Sequence, residues 1–377
     1  MPEVKKWIEF RKVLHKSPEL SGNEKRTSEK ISGVLEELSP HELHKNIGGS
    51  GVMAIFSSKE PDDKETILFR AELDAIAVQE ESEAEYASEK KGVMHGCGHD
   101  GHMTILLGFA EYLHQHPPEK YNIALLFQPA EETGEGSSRV LEDPVFKKQT
   151  FKRAFALHNL PGFAENEVII RKGVFAAAST GLQIDIKGRS SHAAYPEQGS
   201  NPSRVLGNLL TFISEGFDEF KKKGSVNKII CTYARMGNVA YGISPGHATM
   251  GVTVRSSGDD ELDRVAELIR GRLNTEKKSF DGEISMKEIE PFSATVNDDR
   301  GTELVEHAAK QRGLELQKMG EPFPWSEDFG EFRKKCPVTL FGLGTGKDHP
   351  PLHSEVYDFN DNLIETGIKL FAVLSTL

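Results

Sequence analysis

The chain contains 377 residues with a formal net charge of −12, a length that exceeds one ordinary hydrophobic core and predicts two domains. The negative charge argues against nucleic acid and against an anionic membrane surface as partners. No apolar run approaches the ~20 residues needed to cross a bilayer. The three cysteines provide no disulfide framework and the N-terminus lacks an apolar signal core, so we expect a cytoplasmic protein.

Helical and strand-like spacings of apolar residues alternate along the first half of the chain. Helices are predicted at 3–16, 22–38 and 100–115, and strands at 52–56, 66–69, 122–127 and 154–157. Strands that alternate with helices form a mostly parallel sheet with both faces covered. The sequence therefore predicts an α/β fold with a mixed, mostly parallel sheet and helices on both faces.

The order of elements changes after Gly173. Strands at 182–186, 228–233, 248–254 and 283–289 and helices at 202–220 and 261–277 follow in the order β-α-β-β-α-β. This is the order of a ferredoxin-like α+β unit. We expect it to be an inserted domain at 175–291, within a first domain made of 1–174 and 292–377. That first domain is completed by helices at 300–312, at 326–335 and from 361 to the end, and by a strand at 338–341.

The segment His95–His102, His-Gly-Cys-Gly-His-Asp-Gly-His, concentrates metal-binding side chains between glycines. Glycine permits positive φ and the close approach of other atoms, so this loop can aim several short side chains at one point. Imidazole and thiolate ligands suit zinc and its neighbours in the transition series. Cys97 and His99 have the spacing to face one ion. The alternatives are a histidine-rich surface turn or a histidine pair that is hydrogen-bonded to the backbone, and both leave the apolar helix directly after the segment unexplained.

Polar residues also follow the predicted strands, where α/β sheets place their ligand crevices. Glu131 and Glu132 come after the strand at 122–127. Adjacent carboxylates cannot easily face the same atom, so one can bind a metal while its neighbour takes a proton from a bound water. Asp74, after the strand at 66–69, is placed to orient either a metal-bound histidine or a ligand that bridges the metal ions, without binding metal itself. A pair of adjacent glutamates is also common on solvated helices, and His158 and His353, each taken alone, fit structural roles.

Four segments together resemble the metal-dependent aminoacylase and carboxypeptidase superfamily: Arg70–Asp74, His95–His102, Gln128–Glu132 and Leu352–Asp358. More narrowly, they resemble its amidohydrolase branch, which includes indole-acetyl-amino-acid hydrolases, hippurate hydrolases and N-acetyl-diaminopimelate deacetylases. The resemblance covers essentially the whole chain.

The resemblance implies a centre of two divalent metal ions per subunit, with manganese or zinc expected and cobalt or nickel as alternatives. Glu131 would be the general base, and Asp74 would be a catalytic aspartate that supports the ligands. The implied metal ligands are Cys97, His99, Glu132, His158 and His353.

The inserted domain resembles the family's lid, which closes on the substrate and often mediates dimerisation, so a homodimer through this domain is expected. His192 matches a lid histidine that approaches the scissile carbonyl, and Arg255 matches a lid arginine that would pair with a substrate carboxylate. A surface-loop histidine and a salt bridge within the lid are the structural alternatives. Gly242 stands where the family usually has an asparagine, and the nearby Asn238 is a candidate to replace it in substrate binding.

These features predict an amidohydrolase that cleaves the amide bond of an N-acyl amino acid or a related small amide. A dipeptidase or aminopeptidase with the same metal centre is one alternative. A non-catalytic scaffold in which the metal only stabilises the fold is another. The presence of Glu131 argues against the scaffold, because closed structural coordination needs no base.

Overall fold

The computed structural model describes residues 3–58, 65–223 and 226–377. The chain divides into two compact units. The first comprises Met1–Phe175, Thr295–Gly320 and Glu327–Leu377, and the second comprises Ala176–Ala294 and Glu321–Ser326. The sequence prediction assigns 321–326 to the first domain, whereas the structure groups this segment with the second unit. The N–H of Ala177 donates to the carbonyl oxygens of Phe323 and Trp325, at 3.1 and 3.0 Å.

The helices, in chain order, are α1 (Val4–His15), α2 (Lys25–Glu37), α3 (His99–Gln115), α4 (Gly136–Glu142), α5 (Pro144–Lys148), α6 (Ser203–Glu215), α7 (Asp218–Lys222), α8 (Asp259–Lys277), α9 (Asp299–Gln311) and α10 (Asn362–Leu374). The strands are β1 (Glu42–Ile47), β2 (Gly51–Phe56), β3 (Thr66–Glu72), β4 (Asn122–Gln128), β5 (Arg153–Pro161), β6 (Val168–Ile170), β7 (Gly173–Ala176), β8 (Ala178–Lys187), β9 (Ser191–His192), β10 (Lys228–Met236), β11 (Ile243–Ser244), β12 (His247–Ser256), β13 (Glu283–Phe292), β14 (Thr295–Asn297), β15 (Leu316–Lys318) and β16 (Val338–Gly346).

The first unit is built on an eight-stranded sheet with the order β1-β2-β4-β3-β5-β16-β6-β15. Strands β4, β3, β5 and β16 run parallel to one another. The pairings of β1 with β2, β2 with β4 and β16 with β6 are antiparallel. The predicted α/β fold with a mixed, mostly parallel sheet is confirmed, and its four central parallel strands all end at the same edge.

Burial along the central strands explains their apolar composition. Every residue from Ile67 to Glu72 and from Asn122 to Gln128 is buried, as expected for strands covered on both faces. On one face, Phe69 packs against Phe109 of α3 and Phe371 of α10, with ring centroids 4.9 and 5.0 Å apart. Among the described residues, no helix is long and apolar enough to cross a membrane.

The second unit contains a four-stranded antiparallel sheet with the order β10-β12-β8-β13. Its elements follow along the chain as β8-α6-β10-β12-α8-β13, which is the order of a ferredoxin-like unit. Strands β10 and β13 form the two edges of this sheet.

The structure differs from the predicted elements at several points. Several short elements were not predicted, and neither was strand β1, whose exposed and half-buried residues lack apolar alternation. The single helix predicted at 202–220 is wrong: Gly216 and Phe217 separate α6 from α7. The α-helix predicted at 326–335 is instead a 3₁₀ helix at Asp328–Lys334. There the side chain of Glu327 accepts the N–H of Phe329 at 3.0 Å, and long-range hydrogen bonds to Asp328 override the local helical pattern.

Candidate metal centre

The parallel strands deliver the predicted metal-binding residues to one edge of the sheet. Asp74 follows β3 directly, Glu131 and Glu132 follow β4, and His158 lies near the end of β5. His353 lies in the loop after β16, and its N–H donates to the carbonyl of Gly96 at 2.8 Å. This hydrogen bond joins the loop after β16 to the glycine-rich segment. The two segments lie far apart in the sequence, so no local pattern predicts their contact.

The start of α3 fixes the directions of Cys97 and His99. Gly98 between them has φ of 88°, and a Cβ there would lie 2.7 Å from the side-chain oxygen of Asn159. Only glycine fits this left-handed, tightly packed position. Nδ1 of His99 lies 2.8 Å from the carbonyl oxygen of Asp74, so this nitrogen donates and the other ring nitrogen is the lone-pair donor to the site.

Glu131 and Glu132 both lie in the turn Pro129–Gly136, here called the acid turn, and the backbone of this turn determines where each side chain points. Ala130 adopts a left-handed φ of 52°. The N–H of Glu132 donates to Oδ2 of Asp74 at 3.0 Å, and the same oxygen accepts the hydroxyl of Ser21 at 2.7 Å. Asp74 therefore holds the backbone of the acid turn with its carboxylate and the ring of His99 with its carbonyl.

Five predicted ligands converge in this region. Sγ of Cys97 lies 3.6 Å from Nε2 of His158, and Oε1 of Glu132 lies 3.9 Å from Nε2 of His99 and 3.6 Å from Nε2 of His353. Donor atoms of Cys97, His99 and His158 lie within 4.8 Å of one another, as do those of Cys97, Glu132 and His353. The thiol of Cys97 belongs to both groups.

The donor atoms fit bound divalent cations. Nε2 of His99 and Oε1 of Glu132 are buried and have no hydrogen-bond partner in the described part of the chain, although a buried polar atom without a partner is costly. Sulfur, imidazole nitrogen and carboxylate oxygen together suit transition-series ions better than magnesium or calcium. These side chains could therefore hold metal ions at the sheet edge.

Glu131 lies close to His99, with its Oε2 3.6 Å from Nε2 of that residue, and also close to a second group of carboxylates. It is 5% exposed, and its carboxylate lies within 4.8 Å of those of Glu327 and Asp328. Burial raises the pKa of Glu131 well above its usual value, and the negative charges of Glu327, Glu132 and Asp328 raise it further. A carboxylate in this setting holds a proton more readily than an exposed one.

Arg70 supplies the countercharge behind this group. Its Nη2 lies 2.9 Å from Oε1 of Glu327 and 2.7 Å from Oδ1 of Asp328, and its Nη1 contacts Glu72. Burial nevertheless raises the pKa of Asp328 to about 8, against the attraction of Arg70. Three carboxylates, of Glu72, Glu327 and Asp328, thus contact one buried guanidinium.

Sequence reasoning missed several residues in this network. Nδ1 of His102 lies 2.7 Å from Oε2 of Glu72 and its Nε2 lies 2.5 Å from Oδ1 of Asn159. His102 lies in the glycine-rich segment and Glu72 in the polar end of β3, so both lie in segments whose composition already indicated a functional site. Glu327 and Asp328 come from a distant segment with no metal-like pattern.

Three further predicted residues lie in the second unit. His192 is exposed on β9, and its Nδ1 accepts the N–H of Ala194 at 3.0 Å. Arg255 on β12 donates from Nη1 to the carbonyl of Pro324 at 3.0 Å and to Oγ of Ser326 at 3.1 Å, and burial lowers its pKa. Asn238 is exposed between β10 and β11.

Known proteins resemble this chain over nearly its full length. It is 30% identical over 382 residues to a hippurate hydrolase of Campylobacter jejuni, covering 97% of this chain and 96% of that protein. It is 28% identical over 373 residues to an N-acetyldiaminopimelate deacetylase of Enterococcus faecalis, covering 97% and 96%. The YXEP protein of Bacillus subtilis, described as a dinuclear metal-binding peptidase of the M20 family, superposes with a TM-score of 0.81 at 26% identity, covering 99% of this chain and 97% of that one.

These similarities identify the class of protein. The chain is a metal-dependent hydrolase that acts on amide bonds, as the sequence predicted. Residues 68–376 match the model of Peptidase family M20/M25/M40, and the chain belongs to this family.

Proposed function

We propose that the protein hydrolyses the amide bond of N-acyl amino acids or closely related small amides, using two divalent metal ions. One observation carries the proposal: donor atoms of Cys97, Glu132 and His353 lie within 4.8 Å of one another, while the carboxylate of the neighbouring Glu131 lies equally close to the buried carboxylates of Glu327 and Asp328. The names of the hippurate hydrolase and the N-acetyldiaminopimelate deacetylase support an acylated amino acid as the substrate class.

In this proposal, Cys97, His99, Glu132, His158 and His353 hold the ions. Bound ions of this kind lower the pKa of a coordinated water and polarise a carbonyl. Glu131 takes a proton from the attacking water and passes it to the leaving amine, a role that its raised pKa suits. Asp74 fixes the orientation of the His99 ring and the position of the acid turn through its hydrogen bonds at 2.8 and 3.0 Å.

We propose substrate contacts for the residues of the second unit. The exposed imidazole of His192 would donate to the developing oxyanion, a role in which one donor is worth roughly 10²–10³ in kcat. Arg255 would bind the substrate carboxylate with the guanidinium nitrogens that its contacts with Pro324 and Ser326 leave available. Asn238 would contact the substrate where Gly242 has no side chain.

The sharpest test compares three carboxylates of the acid turn. Glu131→Gln should retain its metal ions and melting temperature while kcat falls by about 10²–10⁴, the usual contribution of a general base. Glu132→Gln should lose metal ions as well as activity. Glu135, which is exposed and paired with Arg139, provides the control, and Glu135→Gln should retain full activity. Unchanged turnover in Glu131→Gln would exclude it as the base.

A substrate panel separates the remaining alternatives. N-acetyl and N-benzoyl amino acids should be cleaved faster than dipeptides by metal-reconstituted protein. Preference for dipeptides would make the protein a dipeptidase or aminopeptidase. Absence of hydrolysis across the panel, with tightly bound metal, would favour the non-catalytic scaffold. Manganese and zinc are the ions we propose, with cobalt and nickel as alternatives, and activity after reconstitution with each ion ranks them.

We also propose a homodimer formed through the second unit. On the edge strand β10, the large apolar side chains of Ile230, Tyr233 and Met236 are exposed together with Lys228 and Arg235, whereas the opposite edge, β13, exposes mainly charged residues. Charges protect a sheet edge from pairing, and an apolar edge invites it. Ile230→Lys should therefore give a monomer in light scattering, while Lys287→Glu on β13 should not. The free cysteines support a cytoplasmic location.

A further inference from the structure

The acid turn contains a strained residue directly before the two functional carboxylates. Ala130 has φ of 52°, a left-handed conformation that disfavours residues with a side chain. Such residues persist only where the surrounding structure holds them in place. If Ala130 relaxed to a negative φ, the directions of Glu131 and Glu132 would change together.

A buried carboxylate from the N-terminal segment holds this strained residue. Oε1 of Glu24 accepts the N–H of Ala130 at 2.8 Å and the N–H of Gly22 at 2.7 Å. Glu24 is fully buried and lies between α1 and α2, over a hundred positions from the acid turn. On the other side, the carbonyl of Ala130 accepts the N–H of Gly136 at 3.0 Å. The peptide groups on both sides of the strained residue are therefore fixed.

We infer that Glu24 is a positioning residue for the hydrolytic reaction, which fixes the left-handed Ala130 and through it the divergent directions of Glu131 and Glu132. This inference rests on the proposed function of those two carboxylates. Hydrogen bonds from backbone N–H groups to a carboxylate are roughly twice as strong as neutral ones. Burial raises the pKa of Glu24, while backbone N–H donors that include Gly22 and Ala130 favour its ionised form.

The contacts of Glu24 indicate that the length of its side chain matters more for holding Ala130 than its negative charge does. Oε1 receives both N–H groups, whereas Oε2 has no hydrogen-bond partner among the described residues. Glutamine can present its carbonyl oxygen in the place of Oε1 and keep the contacts with the N–H groups of Gly22 and Ala130, with its NH2 group in the place of Oε2. Aspartate keeps the charge but is one methylene shorter, so its oxygen falls short of Ala130.

The test measures kcat, KM and metal content for a set of variants with the best N-acyl amino acid of the panel. Glu24→Ala and Glu24→Asp should lower kcat by at least about tenfold, since a displacement of ~1 Å can cost about 10², with KM changed less than about threefold. Glu24→Gln should remain within a few-fold of the wild type. Glu24→Ala should also release its metal ions more readily to a chelator.

Glu19 provides a matched control in the same segment. Its Oε2 accepts the N–H and the hydroxyl of Thr27, at 2.8 and 3.0 Å, and these contacts do not reach the acid turn. Glu19→Ala should lower the melting temperature but keep kcat per folded molecule. If Glu24→Ala does not fold, the ranking of Glu24→Gln above Glu24→Asp decides the question.

Two outcomes overturn the inference. One is wild-type kcat and metal retention in Glu24→Ala, and the other is an Asp variant more active than the Gln variant. Failure of the proposed function looks different, because the wild-type protein itself would then cleave no member of the panel. The chelator experiment still reports on Glu24 in that case.

Discussion

Gly136 offers a direct test of how the acid turn is packed. A Cβ at this position would overlap the carbonyl oxygen of Pro129, and it would lie 2.9 Å from the carbonyl carbon of Pro129 and 2.8 Å from Nε2 of Gln128. Carbon atoms normally approach to about 3.5 Å, so the neighbouring backbone must move on the order of 1 Å. Because the N–H of Gly136 also binds the carbonyl of Ala130, the displacement is transmitted to Glu131.

We expect Gly136→Ala to lower kcat by about 10², the cost of a ~1 Å misplacement at a reacting group, and to destabilise the fold by about 1–3 kcal/mol through overpacking. The measurements are initial rates on an N-acyl amino acid and urea unfolding curves.

The matched control is Gly33 in α2, where a Cβ would meet nothing within 4 Å. Gly33→Ala should stabilise the protein by about 0.5–1 kcal/mol, because alanine loses less conformational entropy in a helix, and it should leave kcat unchanged. If Gly136→Ala kept wild-type kcat and stability, the acid turn would be free to move and the reasoning from its packing would be refuted.

Three further predictions concern charge and metal. Although burial disfavours a charged imidazole, the ion pair with Asp100 raises the pKa of His15 to about 10. The stabilisation from His15 should therefore be complete below about pH 6.5 and disappear as the pH rises through about 10, so the difference in urea midpoint between wild type and His15→Gln should shrink over that range. Arg70→Met leaves Glu327 and Asp328 without their buried countercharge and should cost about 3–5 kcal/mol in urea unfolding; a smaller effect than Lys6→Met would contradict this. Chelation should lower the melting temperature and abolish hydrolysis, and added manganese or zinc should restore both; a chelated protein with an unchanged melting temperature would contradict metal binding to the folded state.

The central part of the candidate site could be predicted from local sequence because its residues are neighbours in the chain. Cys97 and His99 lie on either side of one glycine, and Glu131 and Glu132 are adjacent, so their spacing indicated a metal site with a neighbouring base, and the family resemblance then implied which residue has which role. The parallel sheet could also be predicted from local sequence, because β3 and β4 contain apolar runs that are followed by polar residues.

The rest of the network depends on tertiary contacts that have no local pattern. Glu24 precedes an ordinary amphipathic helix, and only the fold places its carboxylate at the N–H of Ala130. Asp328 was expected in an α-helix, but its oxygens accept hydrogen bonds from Arg70, Gln128 and Ser137. These long-range bonds shape the segment as a 3₁₀ helix and override its local propensity.

The different positions of Glu131 and Glu132 are a property of the backbone rather than of the two identical side chains. The left-handed φ of Ala130 and the bond from the N–H of Glu132 to Asp74 orient one carboxylate toward His353 and the other toward Glu327. The first lies beside nitrogen and sulfur donors that suit a metal ion. The second lies 3.6 Å from Nε2 of His99, but it also lies beside like charges that favour a bound proton. An acid pair on a regular surface helix would lack both environments, so the backbone of the turn, and not the composition of the pair, creates the different surroundings on which the proposed roles of ligand and base rest.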